Sequence, residues 1–307
     1  MAGLTGGGVG HGLLLPSLAG TFAVLVWGAT PAATALVVRD IPSALIGPGR
    51  LLLSAVLLLP PLLLLRPALP RDRAGWAALA INGLIGFGAS FFFQGIGIAR
   101  TTTAHAALVL TAAPVITALI QFLLARSRPR PLWWGGSVIA LLGEAVLILG
   151  RDTAGNGAQA SIFGDLLVFA GTVTVSIGYV AGAKLAARIG LFAATAWSIL
   201  FGALFLLPLL PTLIEAAPGL TPLGGGALLF LAVVCTLLGF AAWYWALHRG
   251  GVVAMSLLQF AQPVVGLVIA VTLLAEELSG TVLLAVILIL SGVFLCRRAL
   301  FGGLARS

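Results

Sequence analysis

Apolar residues along this chain come in long unbroken runs, separated by short stretches that hold nearly all the charge, glycine and proline. A helix of about 20 apolar residues crosses the hydrocarbon core of a bilayer. Breaking the chain at charges and Gly/Pro clusters gives ten such segments. They fall near Leu18–Val38, Ser43–Leu65, Trp76–Ile98, Thr101–Ala125, Leu132–Gly150, Ile162–Ala183, Leu191–Ile214, Gly226–Leu247, Val252–Ala275 and Thr281–Cys296. Runs such as Leu51–Leu59 and Leu283–Leu290 show none of the polar–apolar alternation a transmembrane barrel strand needs. The predicted class is an all-α integral membrane protein of ten transmembrane helices.

The same block of sequence occurs twice. His105–Gly143 lies over Ala254–Gly292 at a shift of 149 without a gap, matching Pro114 to Pro263, Val115 to Val264 and Gly143 to Gly292. Upstream, Phe91 matches Phe240 and Arg100 matches Arg249. The expected organisation is an N-terminal tail (1–17), a first five-helix repeat (18–150), a linker (151–161), a second five-helix repeat (162–296) and a C-terminal tail (297–307). Five is odd, so the second copy enters the membrane in the opposite sense. Inverted-topology repeats are the architecture of many secondary transporters.

Charge fits this reading. Only 8% of residues are charged against 61% hydrophobic, too few to cover a water-facing surface. The net charge of +8 would suggest nucleic acid in a soluble protein, but here the basic residues sit between apolar runs. Alternate loops carry twelve of them and the intervening loops only Arg39, Arg100 and Arg151. Because basic loops stay in the cytoplasm, both termini are predicted there, in a multi-pass protein of the inner membrane. Expected partners are the lipid bilayer and a small-molecule substrate, with no nucleic acid; homodimerisation is left open. Cys235 and Cys296 lie in apolar runs and read as buried small hydrophobes. No metal-ligand spacing, cofactor motif or ATP-binding loop is present, so no metal, cofactor or catalytic residue is assigned.

Several residues stand out against the apolar background. Arg50 lies about 10 Å into its segment at 1.5 Å per residue. It either contacts a carboxylate or carbonyl in a central cavity or snorkels to the interface. Trp27 and Tyr179 lie within the first helix of each half, Trp27 near mid-depth, and are read as cavity-lining. Phe91, Trp243 and Tyr244 either close a mouth and stack on substrate or belong to an interfacial aromatic belt. Gln94, Gln259 and Gln262 supply amides, and His105 is a substrate contact or a satisfied interfacial histidine. Pro114 and Pro263 interrupt equivalent helices, as hinges or as packed kinks. Glu144, in the fifth segment, is either a proton carrier or a structural carboxyl. Gly178-Tyr-Val-Ala-Gly182 is a small-xxx-small packing pattern.

Taken in order, Trp27-Gly28, Gly49-Arg50-Leu51-Leu52, Ala112-Ala113-Pro114-Val115, Ala242-Trp243-Tyr244-Trp245-Ala246-Leu247, Gln262-Pro263-Val264-Val265, Glu276-Glu277-Leu278-Ser279 and Leu290-Ser291-Gly292-Val293 resemble the EamA family of the drug/metabolite transporter superfamily. The resemblance runs from Leu18 to Cys296. It implies ten helices, cytoplasmic termini, and transport of amino acids, other metabolites or amphipathic drugs, often as export. The family pattern has a Gly-Glu pair between the fourth and fifth helices, where this chain reads Ala125-Arg126-Ser127-Arg128; only Glu276 and Glu277 in the second half keep acids there. The function expected is a secondary transporter or facilitator of small organic metabolites, best matched to neutral or aromatic amino acids, by alternating access. The alternatives are amphipathic drug or cation efflux, a channel, or an intramembrane enzyme.

Overall fold

The computed structural model describes residues 9–101, 109–110, 112–149, 161–262, 264–265, 268 and 280–301. Among the described residues every regular element is helical. In chain order they are α1 (Val9–Gly28), α2 (Thr30–Val37), α3 (Ser43–Leu65), α4 (Arg73–Ile98), α5 (Ala113–Leu124), α6 (Pro131–Leu149), α7 (Ile162–Ile189), α8 (Leu191–Gly219), α9 (Pro222–Gly250), α10 (Val252–Ala261) and α11 (Gly280–Phe301). Among the described residues six spans are long and apolar enough to cross a membrane: Leu13–Thr34, Ser43–Leu65, Arg73–Ile98, Ile162–Ile189, Leu191–Gly219 and Pro222–Gly250.

The boundaries differ from the sequence reading where the apolar run outlasts the punctuation. α1 begins at Val9, so part of the expected tail is helical. Leu13–Leu15 carry the apolar pattern through Pro16, and a helix in lipid tolerates proline when its surroundings re-satisfy the backbone. α11 likewise continues past Cys296 to Phe301. α8 is interrupted by a tight 3₁₀ turn at Leu207–Leu209 and ends in another at Ala217–Gly219, each carrying a proline.

Two features recur 149 positions apart. Asp72 caps α4 by accepting the Gly75 N–H, and Thr221 caps α9 by accepting the Gly224 N–H. Each of these helices then widens into a π-helical stretch, Ile81–Ala89 in α4 and Leu231–Leu238 in α9. The duplicated sequence thus folds into duplicated local geometry.

Loop contacts sort the helix ends onto two faces. On one face Arg188 pairs with Asp72, and the Trp197 indole reaches the Pro67 carbonyl at 3.4 Å. A recess there is lined by Ala186, Gly190, Trp245, His248 and Arg249. On the other, Asp40 accepts from the Thr221 N–H and hydroxyl at 2.9 and 2.8 Å, and Thr101 donates to Asp165 at 2.6 Å. Helices α3 and α8 therefore run in opposite senses, as do α4 and α9. Arg71 and Arg188, from the first and second halves, line one recess on the same face.

Glycine lets the central helices approach closely. A Cβ on Gly86 or on Gly178 would lie 2.5 Å from the other residue's Cα, so α4 and α7 meet backbone to backbone. Gly182, the other end of the small-xxx-small pattern, is covered by the Tyr244 ring. α6 and α11 form a separate pair in the same way, through Gly136, Gly143 and Gly292.

Candidate functional site

The two π stretches shape the centre of the bundle. In α9 the Gly239 N–H turns to Val234 and Thr236, passing over Cys235, which lies four residues back. The Cys235 carbonyl instead accepts the Trp27 indole N–H at 2.8 Å. Gly239 carries no side chain because Trp27 Nε1 would lie 2.9 Å from its Cβ. This wider turn thus gives up a carbonyl to a side chain from the other half, and π stretches are frequent at functional sites.

The same stretch holds Arg50. Its Nε donates to Thr236 Oγ1 at 2.7 Å, and that hydroxyl donates onward to the Leu231 carbonyl at 2.9 Å. One turn along α3, the Ser54 hydroxyl is shared between the Arg50 and Ala232 carbonyls. The guanidinium carbon stands 5.1 Å from the centroid of the Phe91 ring, within cation–π range. Among the described residues no carboxylate pairs with Arg50. The side chain keeps some accessible surface although contacts from α4 and α9 hold it. Snorkelling is therefore not its arrangement: the head is fixed inward by Thr236 and Phe91.

Beside Arg50 lies a cluster of aromatic rings. Trp27 stacks on Tyr179 at 6.1 Å and 16°, and tilts against Phe240 and Trp243 at 5.0 and 5.4 Å. Tyr179 contacts Trp243 at 5.6 Å, while Phe240 touches Phe87 at 4.6 Å and Phe91 at 6.4 Å. Trp243 and Tyr244 are 0% and 1% exposed, which removes them from any interfacial belt. Within this dry cluster two polar atoms have no hydrogen-bond partner, Trp243 Nε1 and Gln259 Oε1. Buried polar atoms are usually satisfied; Thr117, Gln121, Trp133 and Thr195 carry further such atoms elsewhere in the bundle.

Toward the face that carries Asp72 and Arg188, a buried polar junction closes the cluster. Asn82, from the π stretch of α4, accepts the Tyr244 hydroxyl at 2.8 Å and donates to Ser198 Oγ at 2.8 Å. One amide thereby joins α4, α8 and α9. The sequence reading passed over Asn82 and Thr236. Asn82 could have been noticed as an amide inside an apolar run, since an unpaired polar group in lipid is costly.

Of the residues expected at the site, Trp27, Arg50, Phe91, Tyr179, Trp243, Tyr244 and Gln259 come together. Gln94 does not join them; it packs across Gly171 on α7. Gln262 is half-buried, and its carbonyl lies beside Gly28. Pro114 stands in the first turn of α5, where a missing N–H costs little, after a turn at Ala112 that follows helical residues 109–110. His105, Pro263 and the Glu144 side chain lie outside the described residues.

Comparison with known proteins places this geometry. The model of the EamA-like transporter family matches the chain twice, over residues 14–149 and 162–298. The chain is 30% identical to YdeK of Bacillus subtilis, an uncharacterized transporter, over 91% of its own length and 96% of the relative's. It is 25% identical to a probable terminal-alkyne amino-acid exporter of Streptantibioticus cattleyicolor, covering 73% and 74%. A crystal structure of 24% identity shares the fold, with a TM-score of 0.74 over 92% of this chain and 98% of the other. Two successive matches to one family model, spanning nearly every helix of the bundle, establish that the chain belongs to the EamA-like transporter family.

Proposed function

We propose that this protein is a secondary transporter of small organic carboxylates, best matched to neutral or aromatic amino acids, working by alternating access at the Arg50 site. The observation that carries this reading is Arg50 itself, held inward by Thr236 and Phe91 with no carboxylate partner among the described residues. A substrate carboxylate supplies the missing counter-charge. The Gln259 Oε1 acceptor suits an α-ammonium, and the Trp27, Tyr179 and Trp243 rings suit an apolar or aromatic side chain. The amino-acid exporter among the relatives points the same way.

The rival reading, efflux of amphipathic cations, draws on the same rings. Charge decides against it: a second cation about 5 Å from Arg50 costs about 3 kcal/mol at an effective dielectric of 20, and a carboxylate gains as much.

The transport cycle we propose uses two five-helix halves of opposite orientation, ten helices in all, with both termini cytoplasmic. Support comes from the recurring caps and π stretches and from the opposed senses of α3 and α8 and of α4 and α9. Similar halves of opposite orientation can exchange shapes, closing one face while the other opens.

The test is counterflow in proteoliposomes loaded with single amino acids or amphipathic amines. Saturable, trans-stimulated flux of amino acids in the wild type, lost in Arg50→Gln with normal membrane insertion, is the expected result. Flux of amines with Arg50→Gln unimpaired would overturn the assignment, and unsaturable conductance would indicate a channel.

A further inference from the structure

The two sequence copies diverge sharply at one loop. Arg126, Arg128 and Arg130 follow the fourth helix of the first half, and the positions 149 residues on are Ala275, Glu277 and Ser279. Arg126 ends α5 in a left-handed turn, φ 50°, which folds the chain back into α6. Arg130 then donates from Nη1 to the Ala299 carbonyl at 3.0 Å. That bond ties the loop to the last turns of α11, where Arg297 and Arg298 stand. Five arginines thus lie at one end of the α6–α11 pair.

All five arginines are exposed, and none meets a carboxylate among the described residues. The recess between Arg71 and Arg188 differs, because Asp72 answers its charge. Directly beside the arginine corner the helices present apolar surface. Leu132, Trp134 and Phe294 are 42%, 44% and 64% exposed. A tryptophan between a charged end and an apolar flank is the usual mark of the headgroup level. Farther along, Leu142, Ile287 and Leu290 keep the pair's outer surface apolar.

We infer that this corner is a docking site for anionic phospholipid. Arg126, Arg128, Arg130, Arg297 and Arg298 hold the headgroup phosphate, and the acyl chains lie along α6 and α11. Free inorganic phosphate would satisfy the charge but leave the apolar flank unused, so the joined charge and apolar surface select a lipid. The site lies apart from Arg50 and stands whether or not the substrate assignment holds.

Native mass spectrometry of the detergent-purified full chain tests this, with cardiolipin, phosphatidylglycerol or phosphatidylcholine added, and thermal unfolding follows in parallel. The corner variant is Arg126→Gln/Arg128→Gln/Arg130→Gln. The control, Arg66→Gln/Arg71→Gln/Arg73→Gln, removes the same charge elsewhere on that face. The corner variant should lose retained cardiolipin and phosphatidylglycerol by about tenfold or more, as three headgroup contacts would require. The control should stay near wild type, and phosphatidylcholine should bind all three alike. Lipid-induced stabilisation should vanish in the corner variant only. Equal losses in corner and control, no loss in either, or equal stabilisation by inorganic phosphate would each overturn the inference. Arg297→Gln/Arg298→Gln keeps the Arg130–Ala299 bond and should weaken retention in the same direction; it carries the test if the triple variant does not purify.

Discussion

The junction at Asn82 offers the sharpest test of how the bundle closes toward its Asp72–Arg188 face. Asn82 is wholly buried, and its amide makes one bond to Tyr244 on α9 and one to Ser198 on α8. Interhelical hydrogen bonds within membranes average about 0.6 kcal/mol and reach about 1.7. Tyr244→Phe keeps the ring against Phe87, Phe240 and Gly182 and removes one bond. It should cost about 1 kcal/mol, since it also leaves the Asn82 oxygen without a donor. Asn82→Ala removes both bonds and should cost about 2–3 kcal/mol once the small void is included. Ser198 can turn its hydroxyl to its own helix, so most of that loss belongs to Tyr244. The double variant should therefore cost scarcely more than Asn82→Ala alone, a coupling of about 1 kcal/mol. Unfolding titrations in mixed micelles, followed by tryptophan fluorescence, measure each corner of the cycle. Strict additivity of the two substitutions would show that the amide and the hydroxyl do not act on each other, and the junction as described would be wrong.

Other expectations follow from single contacts. Gly86→Ala should destabilise by about 1–3 kcal/mol, because its Cβ would strike the Gly178 backbone. Gly135→Ala, with nothing within 4 Å, should be neutral or slightly stabilising in the same unfolding assay. The Asp72 carboxyl is held below the usual carboxylate range by the Arg188 side chain and then by the Gly75 N–H. Its contribution is thus full above that range and lost as pH falls through the depressed value. Asp72→Asn keeps a good helix cap. Its melting temperature should sit slightly below wild type at neutral pH, with the gap closing in strong acid and narrowing in high salt. Trp27→Ala should weaken apparent substrate affinity in the transport assay more than it lowers membrane expression; unchanged affinity would remove Trp27 from the site.

How the candidate site emerged shows which signals the chain displays openly. Arg50 was conspicuous because a charge in an apolar run must be compensated somewhere. Trp27 was conspicuous because a belt position does not explain an aromatic residue at mid-depth, and Tyr179 because it lies within the first helix of the second half. Trp243 and Tyr244 were ambiguous, since an aromatic near a segment end suits a belt as well as a mouth, and only burial separates the two. Gln94 and Gln259 have the same chemistry, yet one packs across Gly171 and the other faces the rings. Which face of a helix turns inward depends on its neighbours, and a run apolar on all sides carries no periodicity to reveal it.

By itself the sequence determined the solvent, the helical class and the duplication, because a scarcity of charge and unbroken apolar runs admit few other solutions in lipid. It also determined which loops group together, since Asp72 and Arg188 lie on one face as the basic residues required. The tertiary structure alone decided the rest: the π stretches in α4 and α9, the Cys235 carbonyl released to Trp27, and the Thr236 hydroxyl turned to Arg50. A widened turn trades one backbone hydrogen bond for contacts on other helices. Only when those helices are in place does the exchange become favourable, so no local pattern in the chain can announce it.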